Sequence, residues 1–375
     1  MASTPKVIRV GFVGLSASGW ASTALGPALL HPSLASTYRL TAVSTTSAVS
    51  ASASATKYST DSHLVKPFHG ATSAVANDPD VDFVIVAVRA PSHRQAVLPV
   101  IAAGKDLFIE WPAGMNLQET TEIAEAARLK GIRTMVGLQG RYTPVVRKIK
   151  ELVDGGRIGK VLSSSIIALA PREAGFWGPR INERNEYTLD KDSGATMLDI
   201  ALGHELDIVT HILGEFASVN ATSAIIYPTA TLFSTSSDEI RTAPVTAADH
   251  IAFTGLLKSG AVASVIWRGG YSSTPGRIQF VWTIDGEDGS IRVEEDTVGG
   301  AFIHIRDPKL FLNGERVPTD EDWGGFSGNI RAAWADFGGG GPETKYATLD
   351  DAVKLKALLH AIDSSARDGV RVVLP

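Results

Sequence analysis

The stretch GFVGLSASGW, residues 11–20, holds the first chemistry the chain offers. Gly14 and Gly19 occupy the first and third glycine positions of a G-x-G-x-x-G loop, and Ser16 stands in the middle one. The loop follows an apolar run and opens a helical pattern, which is where a dinucleotide pyrophosphate binds. The first glycine allows the tight turn, the middle position lets the backbone approach the phosphates, and the third permits close helix–sheet packing. Serine is the smallest polar replacement, and its hydroxyl can donate to a phosphate alongside the N–H groups of a helix N-terminus. The next strand pattern ends in Ser44, Thr45, Thr46 and Ser47, without the Asp or Glu that holds a ribose 2′-OH. Hydroxyls there suit a 2′-phosphate, which points to NADP, with NAD as the alternative. The competing reading has these hydroxyls cap the following helix. Lys57 is the nearest downstream base.

Other residues offer proton chemistry. His204 and Asp207 are i, i+3 neighbours in a helical pattern, so Asp207 could orient the imidazole or simply form a surface pair. Asp199 precedes His204 by five residues, about 140° away around an ideal helix, so a dyad between them requires an irregular helix. Arg141 and Tyr142 follow a strand pattern, at the carboxyl edge where α/β sheets bind ligands. Tyr142 is there either a general acid or a packing residue. The long mixed segment 176–194 has the make-up of a substrate cover, with Trp177, Arg180 and Tyr187 as its contacts, or of an ordinary surface excursion. His250 and Trp267 fall on strands of a second domain, lining a pocket or a subunit contact. The nine histidines are dispersed without ligand spacing, so no metal is expected, and no G-x-S-x-G elbow follows a strand.

These residues need elements to position them. At 375 residues, two domains are expected. Charged residues make up 20% and apolar ones 44%, and the net charge of -5 gives no reason to expect nucleic acid or an anionic membrane as partner. No run of about 18 apolar residues occurs, and the first residues lack a signal-peptide layout. The absence of cysteine removes disulfides and thiol chemistry, so a cytoplasmic protein is expected. Residues 1–140 alternate strand and helix patterns (KVIRVGFVG, YRLTAVST, VDFVIVAV, KDLFIEW and IRTMVGLQG as strands), as a Rossmann doubly wound parallel sheet does. A helix is expected from about Ser18 to Leu30, kinked or shortened by Pro27, and another through the Ser/Ala-rich segment after Thr46. Residues 141–375 read as an α+β domain with a large, open, mainly antiparallel sheet. Its strands run from KVLSSSIIALA to AFIHIRD, interrupted by the helix ATMLDIALGHELDIVTHILG. FGGGGP, 337–342, reads as a loop before a last helix at 349–367, which can return to the first domain.

Taken in order, GFVGLSASGW, VDFVIVAVRAPSH, FIEWP, GLQGRYTP, GRIGKV and GHELDIV resemble the glucose–fructose oxidoreductase, inositol dehydrogenase and rhizopine-catabolism family over nearly the whole chain. The narrower motifs GLSASGWA, EWP, LQGR and GHELD resemble its fungal galactose-pathway repressor branch. The resemblance implies a nicotinamide cofactor held by Gly14, Ser16, Ala17, Gly19, Trp20, Ser44, Thr45, Thr46, Arg89, His93, Glu110, Trp111, Pro112 and Gln139. It implies a substrate over the nicotinamide and an open sheet face that joins subunits into a homodimer or tetramer. One departure matters: where the family has Glu-Lys-Pro, this chain has Glu110-Trp111-Pro112. An indole cannot carry a proton near neutrality, though it can stack on a flat ring. The family's acid four residues before its His is also missing, since Ile200 stands there.

Three readings result. The first is an NAD(P)-dependent oxidoreductase of a carbonyl, alcohol or imine. His204 or Tyr142 handles the proton with Asp207 alongside, and Trp111, Arg141, Trp177, Arg180, Tyr187, Asp199 and His250 shape the pocket. The second is a catalytically silent nucleotide-binding regulator that docks on a partner protein. The third is a non-redox enzyme that keeps the cofactor as scaffold.

Overall fold

The computed structural model describes residues 7–17, 19–234, 241–319, 324–339 and 345–375. Residues 1–6, Ser18 at the expected helix start and the last three residues of FGGGGP lie outside these. The chain divides into two compact units: Met1–Tyr142 with Gly324–Val353, and Thr143–Trp323 with Lys354–Pro375.

The first unit is built on six parallel strands: β1 (Ile8–Val13), β2 (Tyr38–Thr45), β3 (Lys66–His69), β4 (Phe83–Val86), β5 (Asp106–Ile109) and β6 (Thr134–Val136). Their order is β3-β2-β1-β4-β5-β6. The chain therefore winds outward in both directions from the β1–β4 pair, which makes that edge the topological switch point. Phe83, Val84, Ile85 and Val86 are all fully buried, as a strand covered on both faces demands. β3, Lys-Pro-Phe-His, is too polar to read as a strand, and its proline is tolerated because it lies at the sheet edge.

The first helix begins as a π-turn, Ala21–Leu25, and continues as Gly26–Leu29. Gly26 N–H bonds to Ala21 O across the wider turn. Pro27 lacks an N–H and crowds the preceding turn, and the extra residue makes room for it. The Ser/Ala-rich segment is a helix, Ala48–Tyr58, whose Ser47 hydroxyl accepts from Ser50 N at 3.2 Å.

Gly324–Val353, read from the sequence as part of the second domain, belongs to the first unit. The reason is aromatic burial. The helix Gly325–Gly339 inserts Trp334 and Phe337 into the core, with Trp334 4.6 Å from Phe108 and Phe337 4.7 Å from Phe83 between ring centroids. Its last residues include Phe337, Gly338 and Gly339, so the start of FGGGGP is helical, not loop.

The second unit holds a nine-stranded sheet. Its order is Glu315–Val317, Lys309–Leu312, Ser290–Glu295, Phe280–Gly286, Val161–Pro171, Val262–Tyr271, His250–Leu257, Phe216–Ala224 and Val372–Val373. The pair Val161–Pro171 and Val262–Tyr271 is parallel; the other pairs are antiparallel. AFIHIRD, expected as a strand, forms turns instead. Ile303 and His304 are buried in succession, which breaks strand alternation, and Ile305 N donates to Phe302 O at 2.9 Å.

The expected cover 176–194 is partly regular. Arg180–Asn182 joins a three-stranded sheet with Thr229–Phe233 and Arg241–Pro244, over a small core of Ile181, Leu189, Ala230, Leu232 and Ala243. The interrupting helix starts as a π-turn, Leu198–Leu202, before the α-helix Gly203–Leu213. The closing helix is Leu349–Asp368, and its first residues belong to the first unit, where Leu349 N donates to Thr134 Oγ1 at 3.3 Å. Among the described residues, no helix is long and apolar enough to cross a membrane.

Candidate functional site

At the switch point of the first unit lies a cleft of about 680 Å³. Val13, Gly14 and Ser16 line it from the end of β1, and Ser44, Thr45 and Thr46 from the end of β2. Thr72 and Arg89 come from the connections after β3 and β4. Gly14 has φ +93°. A Cβ there would overlap the Ala87 carbonyl oxygen, so only glycine fits. Gly19 has φ +101° with open space around it, so it answers to conformation alone. Among the described residues that line the cleft there is no carboxylate, and Arg89 is the charged one. The two readings of the hydroxyl run both hold, at different positions. Ser47 caps the helix, while Ser44, Thr45 and Thr46 face the cleft. A mouth with a glycine cradle, hydroxyls and one cation fits a dinucleotide and tolerates an added phosphate.

The other residues assigned to the cofactor are not among the cleft's lining. Trp20 is 41% exposed, stacks on Phe326 at 5.7 Å, and donates through Nε1 to Glu110 Oε1 at 2.8 Å. Trp111 N donates to Glu110 Oε2 at 3.2 Å. A Cβ on Gly137 would overlap that carboxylate, so a bare backbone leaves Glu110 its place. Burial pushes Glu110 up to about 7 against those two donors. Trp111 is itself buried, and the Trp111–Pro112 bond is cis. His93 is buried with Nδ1 2.7 Å from Pro112 O and Nε2 3.0 Å from Val88 O. Burial lowers it to about 4, while the two carbonyls pull it upward. His93 thus sits between the turn at Pro112 and the residues after β4, and its neutral ring donates to one of the two carbonyls. Gln139 is buried in the short turn Gln139–Tyr142, and Ala17 lies beside Ser16 on the loop.

Tyr142 does not serve as the general acid envisaged from the sequence. Its hydroxyl donates to Asp336 at 2.5 Å, and burial with that carboxylate raises its pKa far above the usual phenol value. Arg141 pairs with Asp351 at 3.5 Å, and its side chain is nearly buried. Both tie the end of β6 to the segment returning after Gly324.

In the second unit, the irregular helix that an Asp199–His204 dyad would need is present. Leu202 N bonds to Met197 O, so a five-residue spacing does there what four does in an α-helix. The dyad nevertheless does not form. Asp199 Oδ1 accepts from Lys356 Nζ at 2.6 Å, and Oδ2 from Thr196 Oγ1 at 2.8 Å. His204 Nδ1 has no hydrogen-bond partner among the described residues, and Asp207 does not orient it there. Its ring is held instead by face-to-face stacking on His304, 4.1 Å between centroids and 6° between planes. Burial depresses His204 to about 3 and His304 well below the usual value.

Next to His204, Glu205 Oε2 accepts from Trp267 Nε1 at 2.9 Å, and burial raises this carboxyl to about 8. Trp177 is buried with φ +45°. Arg180 lies over Phe233 at 4.9 Å, and Tyr187 is half-buried in the short helix Glu183–Leu189. His250 Nδ1 meets Asp249 Oδ1 at 2.7 Å. Sequence reading missed His304, Glu205, Phe302 and Lys356. AFIHIRD, which carries Phe302 and His304, reads as a strand, and nothing in the sequence marks Glu205 or Lys356.

Two family models match the chain: one described as oxidoreductase family, NAD-binding Rossmann fold, over residues 8–138, and one described as Gal80p, C-terminal domain, over residues 144–295. The dehydrogenase aclE of Aspergillus oryzae is 31% identical over 97% of this chain and 97% of its own length. The galactose/lactose metabolism regulatory protein GAL80 of Saccharomyces cerevisiae is 28% identical over 83% of this chain and 71% of its own. A crystal structure of a super-repressor mutant of Gal80p from Saccharomyces cerevisiae superposes with a TM-score of 0.87 at 25% identity, covering 98% of both chains.

Proposed function

This chain belongs to the glucose–fructose oxidoreductase, inositol dehydrogenase and rhizopine-catabolism family, and from that premise we propose that it is an NADP(H)-dependent oxidoreductase of a small organic substrate. The observation behind this is the switch-point cleft with its glycine-only position at Gly14. Gly14 and Ser16 hold the pyrophosphate; Ser44, Thr45 and Thr46 hold the ribose and its 2′-phosphate, with Arg89 as the nearby cation. The nicotinamide, when bound, supplies the hydride acceptor or donor.

His204 is the second unit's group for the substrate oxygen. With its pKa depressed to about 3 it is a neutral imidazole. It therefore polarises a carbonyl by donating a ring N–H, or accepts from a hydroxyl. Trp111 supplies apolar surface, not a proton. The protein acts in the cytoplasm, as its cysteine-free composition favours. A second copy packs on the exposed face of the nine-stranded sheet, where Ser165 and Ile167 point outward.

The second reading, a silent nucleotide-binding regulator that docks on a protein partner, is favoured by Trp111 at the lysine position and by the match to the Gal80p C-terminal model. One experiment separates them. The purified protein is mixed with NADPH or NADP⁺ and a panel of carbonyls and alcohols, and nicotinamide absorbance is followed. Turnover supports the enzyme. Saturable nucleotide binding without turnover on any compound transfers the case to the regulator. No calorimetric saturation at millimolar nucleotide overturns both.

A further inference from the structure

Around Phe302 the second unit gathers aromatic rings and buried polar atoms that lack partners. Ring centroids of Trp177, Trp267 and His304 lie 6.2, 5.8 and 6.0 Å from Phe302. His304 in turn stacks on His204, and Trp267 bonds to Glu205. Trp177 Nε1, His204 Nδ1 and Glu205 Oε1 are buried without a hydrogen-bond partner among the described residues. A buried polar group left unmatched costs about 1–3 kcal/mol, and native proteins keep few of them. Three of them lie around this one ring cluster.

A second observation points the same way. Trp177 adopts φ +45°, a left-handed backbone that bulky residues avoid. Close backbone packing holds it there. A Cβ on Gly269 would overlap the Trp177 carbonyl oxygen, and one on Gly178 would lie 2.8 Å from Gly270 Cα. Strain enforced in this way collects at ligand clamps. Phe302 is half-buried, so the cluster reaches the surface.

The cluster is also uncharged at neutral pH. Burial holds both imidazoles deprotonated and keeps the Glu205 carboxyl largely protonated. Trp177 can only donate, while His204 and protonated Glu205 can donate or accept.

We infer that this cluster binds an uncharged, planar ligand bearing a carbonyl or phenolic oxygen, which stacks on Phe302 and pairs with Trp177 Nε1 and His204 Nδ1. As the identity of a substrate, this rests on the oxidoreductase reading; as a binding site, it does not. A polyol, with a hydroxyl on nearly every carbon, would find too few polar partners here and would bury the rest against rings.

The test is a titration with para-hydroxyacetophenone and with myo-inositol, with and without NADPH, followed by tryptophan fluorescence and calorimetry. The expected result is saturable binding of para-hydroxyacetophenone alone. Trp177→Phe and His204→Phe, which keep a ring, should each weaken it about tenfold, the worth of one neutral hydrogen bond at the upper end of its range. Absence of saturation at millimolar probe, tighter binding of myo-inositol, or unchanged affinity in both variants would overturn it. Aromatic binding with no turnover on the wider panel keeps this site and removes the redox reading. Inositol oxidation without aromatic binding does the reverse.

Discussion

A phenol that donates to a carboxylate holds its proton too tightly to pass it on, and Tyr142 is in that position against Asp336. Tyr142→Phe should therefore leave the pH dependence of turnover unchanged while lowering stability by about 1.5–3 kcal/mol, the worth of a hydrogen bond to a charged group. Parallel pH–rate profiles and urea titrations check both halves. Glu205 gives the complementary case. Its carboxyl is raised to about 8 in the folded chain, so the fold binds this proton more tightly than the unfolded chain does. The stabilisation is complete below the ordinary Glu range and is lost as pH rises toward 8. His93 and His204, lowered to about 4 and about 3, act in the opposite sense, costing stability only as pH falls below about 6.5. Between about pH 6.5 and pH 9 the Glu205 contribution amounts to roughly 2 kcal/mol and is the larger part of the decline, with Glu110, raised to about 7, adding a smaller loss of the same sign. Glu205→Gln keeps the acceptor for Trp267 and should flatten that alkaline decline in denaturant titrations; an unchanged slope would assign it to other groups. None of this was legible in the sequence. GHELD shows a His and two acids on a helix, but not that Glu205 meets an indole on a distant strand, nor that His204 meets a second imidazole from a segment read as β.

Elements were legible where one periodicity ruled a whole segment. YRLTAVST is a strand over all its residues, Tyr38–Thr45, and the Ser/Ala-rich segment is the helix Ala48–Tyr58. Legibility failed where tertiary packing overrode the local pattern. β3 is an edge strand with proline and almost no buried face, so only the neighbouring β2 specifies it. The two π-turns were visible only as misfits: a proline inside a helix at Pro27, and an acid one residue too far from its histidine at Asp199. Each misfit turned out to be one inserted residue. The helix Gly325–Gly339 sits among glycines that argue against helix in the interior, yet Trp334 and Phe337 find their partners in Phe83 and Phe108. If that burial is what assigns the segment to the first unit, Trp334→Ala should cost about 3–5 kcal/mol, as large aromatic truncations in cores do. The loss should appear together with weakened nucleotide binding, because β4, which Phe83 begins, leads into the wall of the cleft. Denaturation followed alongside nucleotide titration tests this, and a cost below about 1 kcal/mol would mean that the helix is only loosely attached.

At the scale of the whole molecule, the nine-stranded sheet leaves one face exposed among the described residues. Along Val161–Pro171 the alternation buries Ser164, Ile166 and Ala168, while Ser165 and Ile167 face outward. Their register neighbours continue that face: Ser264 and Ile266 on one side, Thr283 and Val281 on the other, and beyond them Thr254 and Ala252. Its centre is small, β-branched and uncharged. Ser165 and Thr283 satisfy one another's hydroxyls at 2.7 Å, so little polar surface would be stranded by covering it. Ile167 is 45% exposed well inside its strand, and Val262, which begins its own strand on the same face, is 55% exposed. A self-complementary face of this kind suits a two-fold pairing of identical chains, since each strand then meets its own counterpart's sheet. Ile167→Arg, together with Ile266→Arg, would place two charges per chain at the centre of that contact, facing the same charges of the second copy. Sedimentation velocity at micromolar concentration should then show the wild type as a dimer or larger species and the double variant as a monomer. Nucleotide affinity should hold within about twofold, because the cleft is built wholly from the first unit. A wild type that sediments as a monomer up to high concentration would remove the pairing, and the exposed isoleucines would then have to meet a different protein.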